Sequence, residues 1–192
     1  SELLAGYPFD VLLGSIHWLG NWMFDVVDSP LQMAEWERRG VEGVWREYAE
    51  AIEELAATGT CDVMAHPDVV KVTGRAADPG VVAEVEVRIA EAAAASGMAA
   101  EVSSAGFRKP VGDAYPSRTL LDRFAQLAVP ITTASDTHGL SHVADRAGVL
   151  HERVSAAGYR TLRAFRGRRG FDRPLGPPPG AGPDPSDAKG HS

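Results

Sequence analysis

The sequence predicts an α/β fold in which parallel strands are flanked by outer helices. Short apolar runs alternate with longer amphipathic runs along most of the chain. Strands that alternate with helices pair in parallel, because each helix carries the chain back across the sheet. Hydrophobic residues make up 44% and charged residues 23% of the 192 residues, which is ordinary for a soluble globular protein.

The candidate strands are short runs of mostly apolar residues bounded by polar residues. They occupy residues 9–16, 61–65, 98–102 and 130–135. Their length and composition are those of strands that are buried inside a sheet. We therefore expect them to form the centre of the domain.

The candidate helices carry apolar residues three and four positions apart, which gives each helix one apolar face. Those between the strands cover residues 41–58, 78–96 and 117–128. Asp78 and Pro79 provide an N-cap and a first-turn proline for the second of them. We also expect a short helix after Ser141 and a last helix over residues 150–165.

The chain divides into one domain over residues 1–166 and a tail over residues 167–192. The tail is rich in Pro and Gly and has little apolar surface to bury, so we expect it to be disordered. The chain begins with Ser rather than Met, which we interpret as a start inside a longer gene product.

Charge and composition narrow the classes of function. The net charge of −7 argues against nucleic-acid binding through bulk electrostatics. Cys61 is the single cysteine, so neither a disulfide framework nor a thiolate metal site is expected. We find no signal peptide and no apolar run that could span a bilayer. We expect a cytoplasmic protein without a membrane partner, while the sequence sets no oligomeric state.

Metal-capable side chains lie at the ends of the candidate strands. His17 follows the first strand, His66 the second, and Asp136 with His138 the fourth, while the third strand contains Glu101. The carboxyl ends of parallel strands gather at one face, where α/β proteins build their active sites. Histidine and aspartate suit Zn, Mn or Fe. The sequence therefore predicts a metal site at this face.

Each of these residues also has a purely structural interpretation. A single histidine after a strand is more often a hydrogen-bonded structural residue than a ligand, and Asp136 could instead cap the following turn. Asp68 follows a proline and could simply form a turn. Three such sites at three strand ends favour the metal site. His142 lies close to Asp136 and stays ambiguous.

Arg108 and Lys109 are adjacent cations that follow the third candidate strand. In an acidic chain such a pair fits a phosphate group, because Arg donates bidentate hydrogen bonds and Lys supplies a point charge. The alternative is a solvated loop without a partner. Lys71 is a third cation on the same face. Trp18 and Trp22 are either core residues or walls of the pocket.

Five segments occur in a fixed order along the chain: GSIHW at residues 14–18, AHPDVVK at 65–71, EVSSAGFRKP at 101–110, YPS at 115–117 and SDTH at 135–138. Together they resemble the histidinol-phosphate phosphatases of the PHP (polymerase and histidinol phosphatase) family. The resemblance covers roughly residues 3–165. EVxxxGxRKP followed by YPS is similar to the histidinol-phosphatase branch rather than to the polymerase-associated domains.

The resemblance implies a fold and a metal centre. The fold would be an incomplete, distorted (β/α)7 PHP barrel of the TIM-like kind. The centre would hold up to three divalent ions (Zn, Mn or Fe), and the metal ligands would be His17, His66, Asp136 and His138. Family members also carry an N-terminal H-x-H pair, a further His and a Glu on the strand before GSxH. These are not present here, so we expect the isolated chain to hold part of the cluster and to be inactive alone.

The implied activity is hydrolysis of a small phosphate monoester, L-histidinol phosphate, to L-histidinol and phosphate in histidine biosynthesis. Asp136 and His138 would be catalytic, and the substrate phosphate would lie near Arg108, Lys109 and Lys71. An acidic and aromatic pocket near Trp18, Trp22 and Asp25 would recognise the imidazole and the amine. Two alternatives stay open: a PHP phosphoesterase acting on nucleotides, and an inactive remnant that lost the metals.

Overall fold

The computed structural model describes residues 6–177 of the chain. Its strands are β1 (Leu13–Gly14), β2 (Trp18–Leu19), β3 (Trp22–Met23), β4 (Val63–Met64), β5 (Ala99–Ser103), β6 (Ile131–Ala134), β7 (Thr161–Arg166) and β8 (Arg169–Pro174). Its α-helices are α1 (Pro30–Arg39), α2 (Val41–Ala57), α3 (Pro79–Ser96), α4 (Arg118–Gln126) and α5 (Ala147–Ala156). Within this range, no helix combines the length and the apolar character needed to traverse a lipid bilayer.

Four of the strands form one parallel sheet in the order β1-β4-β5-β6. The register pairs Leu13 with Val63, Val63 with Ala99, and Ala100 with Ile131. Helices lie in the connections between successive strands, so the carboxyl ends of all four strands meet at one edge. The prediction of an α/β fold with parallel strands and helices is confirmed.

The hydrophobic core lies where the central helices pack on the sheet. Helices α2, α3 and α4 bury most of the apolar face that their sequence spacing predicted, and fully buried members include Tyr48, Ile52, Val85, Ile89, Leu121 and Phe124. Side chains cap the N-termini of α3 and α4: Asp78 accepts from the backbone N–H of Gly80, and Ser117 accepts from that of Leu120. The helix boundaries therefore follow local signals as well as burial.

An aromatic cluster near the N-terminal half was not predicted as a unit. The hairpin β2–β3 and helix α1 bring Trp22, Phe24 and Trp36 together with Tyr48. The indole N–H of Trp36 donates to the backbone oxygen of Phe24 over 2.8 Å. Trp22 is 5% exposed, so it belongs to the core and does not wall a pocket. Trp18, in contrast, is 53% exposed.

The C-terminal part departs from the prediction. Residues 150–165 do not form one helix, because α5 ends at Ala156 and the antiparallel hairpin β7–β8 follows. The predicted boundary between domain and disordered tail falls inside this hairpin, so the expectation of disorder is wrong for Arg169–Pro174. Strand β8 is exposed along its length. Backbone pairing with β7 holds this strand in place rather than apolar burial. The apolar pattern of the sequence therefore does not reveal it. Residues 178–192 of the predicted tail lie outside the described residues.

The turn of this hairpin is tied to the amino ends of the central strands. The guanidinium of Arg168 donates to both carboxylate oxygens of Asp62, each over 3.0 Å. The backbone N–H groups of Gly167 and Arg168 donate to Asp10. Asp62 also accepts from the backbone N–H of Leu12. One carboxylate thus joins the hairpin to the sheet, on the side opposite to the predicted site.

Candidate functional site

Three of the predicted metal ligands come together at the carboxyl edge of the sheet. The imidazole rings of His17 and His66 lie edge to face with 5.1 Å between their centroids. The carboxylate of Asp136 is close enough to both rings that its negative charge favours their protonated forms, which acts to raise the pKa of each. The convergence expected from the parallel strands is therefore present for these three residues.

His17 is oriented by a carboxylate. Its Nδ1 lies 2.6 Å from Oδ2 of Asp25, and this hydrogen bond is the main reason why the pKa of His17 is raised. Because a carboxylate only accepts, Nδ1 carries the proton and donates it. The other ring nitrogen, Nε2, then remains for a ligand, as in many carboxylate-oriented histidines that bind metals.

His66 is buried and sits in a strained backbone conformation. Its φ is +30°, which side chains other than glycine rarely adopt. Burial lowers the pKa of its imidazole, so the neutral form with a lone pair is favoured. Its Nδ1 is buried and has no hydrogen-bond partner among residues 6–177. Because buried polar atoms almost always have a partner, this nitrogen is a candidate for binding a ligand.

Glu101 lies directly beside His66. Its Oε2 accepts a hydrogen bond from the backbone N–H of His66 over 3.0 Å, and its side chain is buried on β5. Burial raises the pKa of the carboxyl to about 7. The sequence drew attention to Glu101 only as a carboxylate on a strand. Its contact with His66 depends on the pairing of β4 with β5, and no spacing in the sequence reveals that contact.

The loop that carries Asp136 is held by Arg108. The guanidinium Nη2 of Arg108 donates to the backbone oxygens of Ser135 over 2.6 Å and of Asp136 over 3.2 Å. Its Nη1 donates to Asp145 over 2.9 Å. Asp136 itself has a φ of +45°. Such backbone strain costs on the order of 1–3 kcal/mol per residue and concentrates at functional sites.

Gly106 allows a close backbone approach just before Arg108 and Lys109, the two cations predicted to bind phosphate. A Cβ at this position would lie 2.1 Å from the backbone oxygen of Asp113, so only glycine fits. Lys109 is exposed beyond it. Arg108 is half-buried, and several of its N–H groups donate hydrogen bonds to the loop that carries Asp136. The guanidinium of Arg108 is therefore held by existing hydrogen bonds, whereas the ammonium of Lys109 is exposed to solvent.

Lys71 is placed differently from the expectation that it faces a substrate phosphate. Its side chain is 10% exposed, and its Nζ lies 2.8 Å from Oδ2 of Asp68 and 2.8 Å from the backbone oxygen of Ala114. Asp68 is itself buried and accepts from the backbone N–H of Ser117. Lys71 thus neutralises a buried carboxylate that binds together three loops. This geometry corrects the predicted role, because the ammonium is already committed.

His138 is exposed two residues after Asp136. Within the described part of the chain it makes no hydrogen bond or ring contact with His17 or His66. His142 is exposed on the next short turn, Leu140–His142. The structure therefore distinguishes His17, His66 and Asp136 from His138 by position, and the metal role of all four residues stays a prediction.

The donors near His66 fit part of a metal site rather than a complete one. Between Gly6 and Pro177, no group of three or more His, Cys, Asp or Glu side chains is arranged to hold one metal ion. The donor types nevertheless suit Zn, Mn or Fe. The unpartnered Nδ1 of His66 and the carboxylate-oriented ring of His17 are both ready to bind one.

A cavity of about 570 Å³ opens beside His17. It is lined by two charged segments and several apolar side chains: His17, Trp18, Met23, Asp25, Val26, Val27, Asp28, Arg108, Lys109 and Pro110. The carboxylates come from the segment that follows β3, and the cations come from the segment that follows β5. The cavity can therefore hold a molecule that carries both charges.

Two comparisons with known proteins found similarity, one in sequence and one in fold. The chain is 33% identical over 168 residues to the probable histidinol-phosphatase of Deinococcus radiodurans, covering 88% of this chain and 62% of that relative. Its fold matches a crystal structure of histidinol phosphate phosphatase from Lactococcus lactis complexed with zinc, L-histidinol and phosphate. The TM-score is 0.70 at 21% identity, over 88% of this chain and 65% of that one. No family model matches the chain.

The fold and the site define an α/β protein with a polar site at the carboxyl ends of its parallel strands, the usual position of active sites in this class. Over 88% of its residues the chain is similar to the probable histidinol-phosphatase of Deinococcus radiodurans. It spans 62% of the length of the curated relative that it matches.

Proposed function

We propose that this chain supplies a large part of the active site of a divalent-metal phosphatase that hydrolyses L-histidinol phosphate for histidine biosynthesis. The observation that carries the proposal is the convergence of His17, His66 and Asp136 beside a cavity lined by Arg108 and Lys109. Metal-binding donors and phosphate-binding cations are the two requirements of metal-dependent phosphate hydrolysis. The family of the sequence relative supports the same chemistry.

We infer that the four-stranded parallel sheet is part of a larger (β/α)7 barrel. The TM-score of 0.70 to the Lactococcus structure supports this inference, since that protein is longer and contains the matched region within it. In a barrel the carboxyl strand ends form a ring, and ligands from strands outside this chain would complete the site.

We assign the metal ligands as His17, His66, Asp136 and His138. Asp25 binds Nδ1 of His17, so Nε2 would be the nitrogen that holds an ion, and Glu101 accepts from the backbone N–H of His66. Divalent ions bound there, Zn, Mn or Fe and up to three in number, would supply Lewis acidity toward the phosphoryl oxygens and a more acidic water.

The remaining steps belong to side chains of this chain. Lys109 binds the phosphate and offsets the charge that develops on its oxygens, and Arg108 contributes its remaining N–H groups while anchoring the loop. As the oxygen of the attacking water bonds to phosphorus, Asp136 accepts the water proton on the carboxylate oxygen left over from metal binding. As the bond between phosphorus and the alkoxide oxygen breaks, His138 donates the proton of its remaining ring nitrogen to that oxygen.

The test is phosphate release by the gene product that contains this chain. With Zn²⁺ or Mn²⁺ we expect turnover of L-histidinol phosphate, loss with chelator, and at least 100-fold lower kcat for His66→Ala and Asp136→Ala. His151→Ala, on helix α5, is the matched control that keeps its activity. Preference for nucleoside monophosphates would instead indicate a nucleotide phosphoesterase. Absence of turnover with every substrate and metal would identify an inactive remnant.

A further inference from the structure

We propose that Asp28 and Trp18 form a subsite for the positively charged group of the substrate, its ammonium or imidazolium. The proposal rests on the proposed function, because it names what selects the substrate within the same cavity. Both residues line the cavity that also contains Arg108 and Lys109. A phosphate held by the cations would therefore place the rest of the molecule toward these two side chains.

The structure selects Asp28 among the nearby acidic residues. Asp25 lines the same cavity, but its carboxylate is committed to Nδ1 of His17 at 2.6 Å. Asp28 is exposed and has no ion pair or side-chain hydrogen bond to any residue between 6 and 177. It is the cavity carboxylate that can accept from an incoming N–H donor without breaking an existing contact.

The aromatic partner is selected in the same way. Trp22 is buried against Trp36, and its face is covered by the guanidinium of Arg39 at 4.8 Å. Trp18 is 53% exposed and lines the cavity, so its ring is open to a ligand. An indole face attracts a cation and stacks on an imidazole. A carboxylate and an indole together suit a planar cation better than either alone.

The opposite charges of the cavity explain why one small site would prefer this class of substrate. A phosphate monoester without a cation satisfies only Arg108 and Lys109 and leaves Asp28 in water. A monoester that also carries an ammonium or imidazolium gains a charge-assisted hydrogen bond at the far end. The predicted consequence is discrimination through KM, since this contact exists before the phosphoryl group reacts.

Asp28 also stands just before Ser29, which caps helix α1, so the variant has to be controlled for helix stability. Asp28→Asn keeps the size and removes the charge, and Asp28→Glu keeps the charge. Glu42→Gln removes a charge from the first turn of α2, outside the cavity. It is the matched control for an acidic residue at a helix start.

Two measurements test the proposal on the gene product that contains this chain. In kinetics, Asp28→Asn should raise KM for L-histidinol phosphate about tenfold. Its kcat/KM for n-propyl phosphate should stay unchanged. Trp18→Ala should act in the same direction, with Trp18→Phe closer to wild type. Equal effects on both phosphates, or none, would overturn the subsite.

Calorimetric binding of L-histidinol, which needs no turnover, separates this proposal from the proposed function. We expect Asp28→Asn to weaken binding about tenfold, while Glu42→Gln and Asp28→Glu stay near wild type. Equal binding by wild type and Asp28→Asn, or no binding by wild type, would refute the subsite whether or not phosphate is released. Binding that depends on Asp28, without any phosphate release, would refute the activity and leave the subsite standing.

Discussion

The backbone N–H of His66 donates a hydrogen bond to the buried carboxylate of Glu101, with 3.0 Å between nitrogen and oxygen. The contact crosses from the end of β4 to the middle of β5, so the sheet itself sets the position of His66. It also stabilises the unusual φ of +30° at that residue. Glu101 thereby acts as a positioning residue for a proposed metal ligand.

Two substitutions of Glu101 should distinguish the loss of its hydrogen-bond acceptor from the loss of its negative charge. Glu101→Ala removes the acceptor and should lower zinc affinity by about 10–100-fold, the usual effect of losing an orienting partner. Glu101→Gln keeps an oxygen for the His66 N–H and should retain most of the affinity. Zinc titration of the gene product measures both. Glu91→Ala, on the exposed face of α3, is the control, and equal affinities for Glu91→Ala and Glu101→Ala would contradict the positioning role.

The buried ion pair of Lys71 and Asp68 should be structural. Lys71→Met leaves the carboxylate of Asp68 buried without its cation, which should lower the free energy of unfolding by about 3–5 kcal/mol. Adding Asp68→Asn should recover part of this loss, because the neutral amide still accepts from Ser117. Urea unfolding of the single and double variants measures the coupling. A near-normal stability with a raised KM would instead favour Lys71 as a phosphate ligand.

Arg108 should control the order of the loop that presents Asp136. Arg108→Lys cannot donate to Ser135 and Asp145 at once, so the loop should lose contacts worth about 1.5–3 kcal/mol. Amide hydrogen exchange over residues 136–145 should become faster, and kcat should fall with it. Arg38→Lys affects only an exposed pair with Glu35 and should change neither quantity. Unchanged exchange in Arg108→Lys would remove the anchoring role.

His138 and His142 provide a matched pair of exposed histidines on the same part of the chain. If His138 is a metal ligand and the proton donor, His138→Ala should reduce both metal content and kcat, whereas His142→Ala should change neither. Metal analysis of the purified variants and phosphate release give the two readouts. A loss confined to His142→Ala would transfer the role to the residue that the sequence left ambiguous.

Much of the site's framework was predictable because parallel strands place distant residues at one edge. His17, His66 and Asp136 each follow a short apolar run, and the structure brings the two histidine rings into contact, with Asp136 near enough to influence both. The helices after Val41 and Pro79 were equally predictable, since their apolar spacing and their boundaries agree. In these two helices, the residues at apolar spacing in the sequence are also residues that are buried in the core.

The rest depends on contacts that a sequence pattern does not encode. The contacts of Glu101 and Asp25 with the histidines arise through space, and neither residue lies at a diagnostic spacing. Lys71 appeared open to a phosphate because the carboxylate that binds it, Asp68, also looked like a simple turn residue. Strand β8 escaped notice because it is exposed on both sides and lacks apolar alternation.

The most direct test of the central claim is anomalous diffraction from crystals of the gene product grown with zinc. The account predicts an anomalous peak about 2.0–2.1 Å from a ring nitrogen of His17 or His66, with a carboxylate oxygen of Asp136 also in its coordination shell. A fully loaded protein whose anomalous peaks all lie away from these three side chains would contradict it.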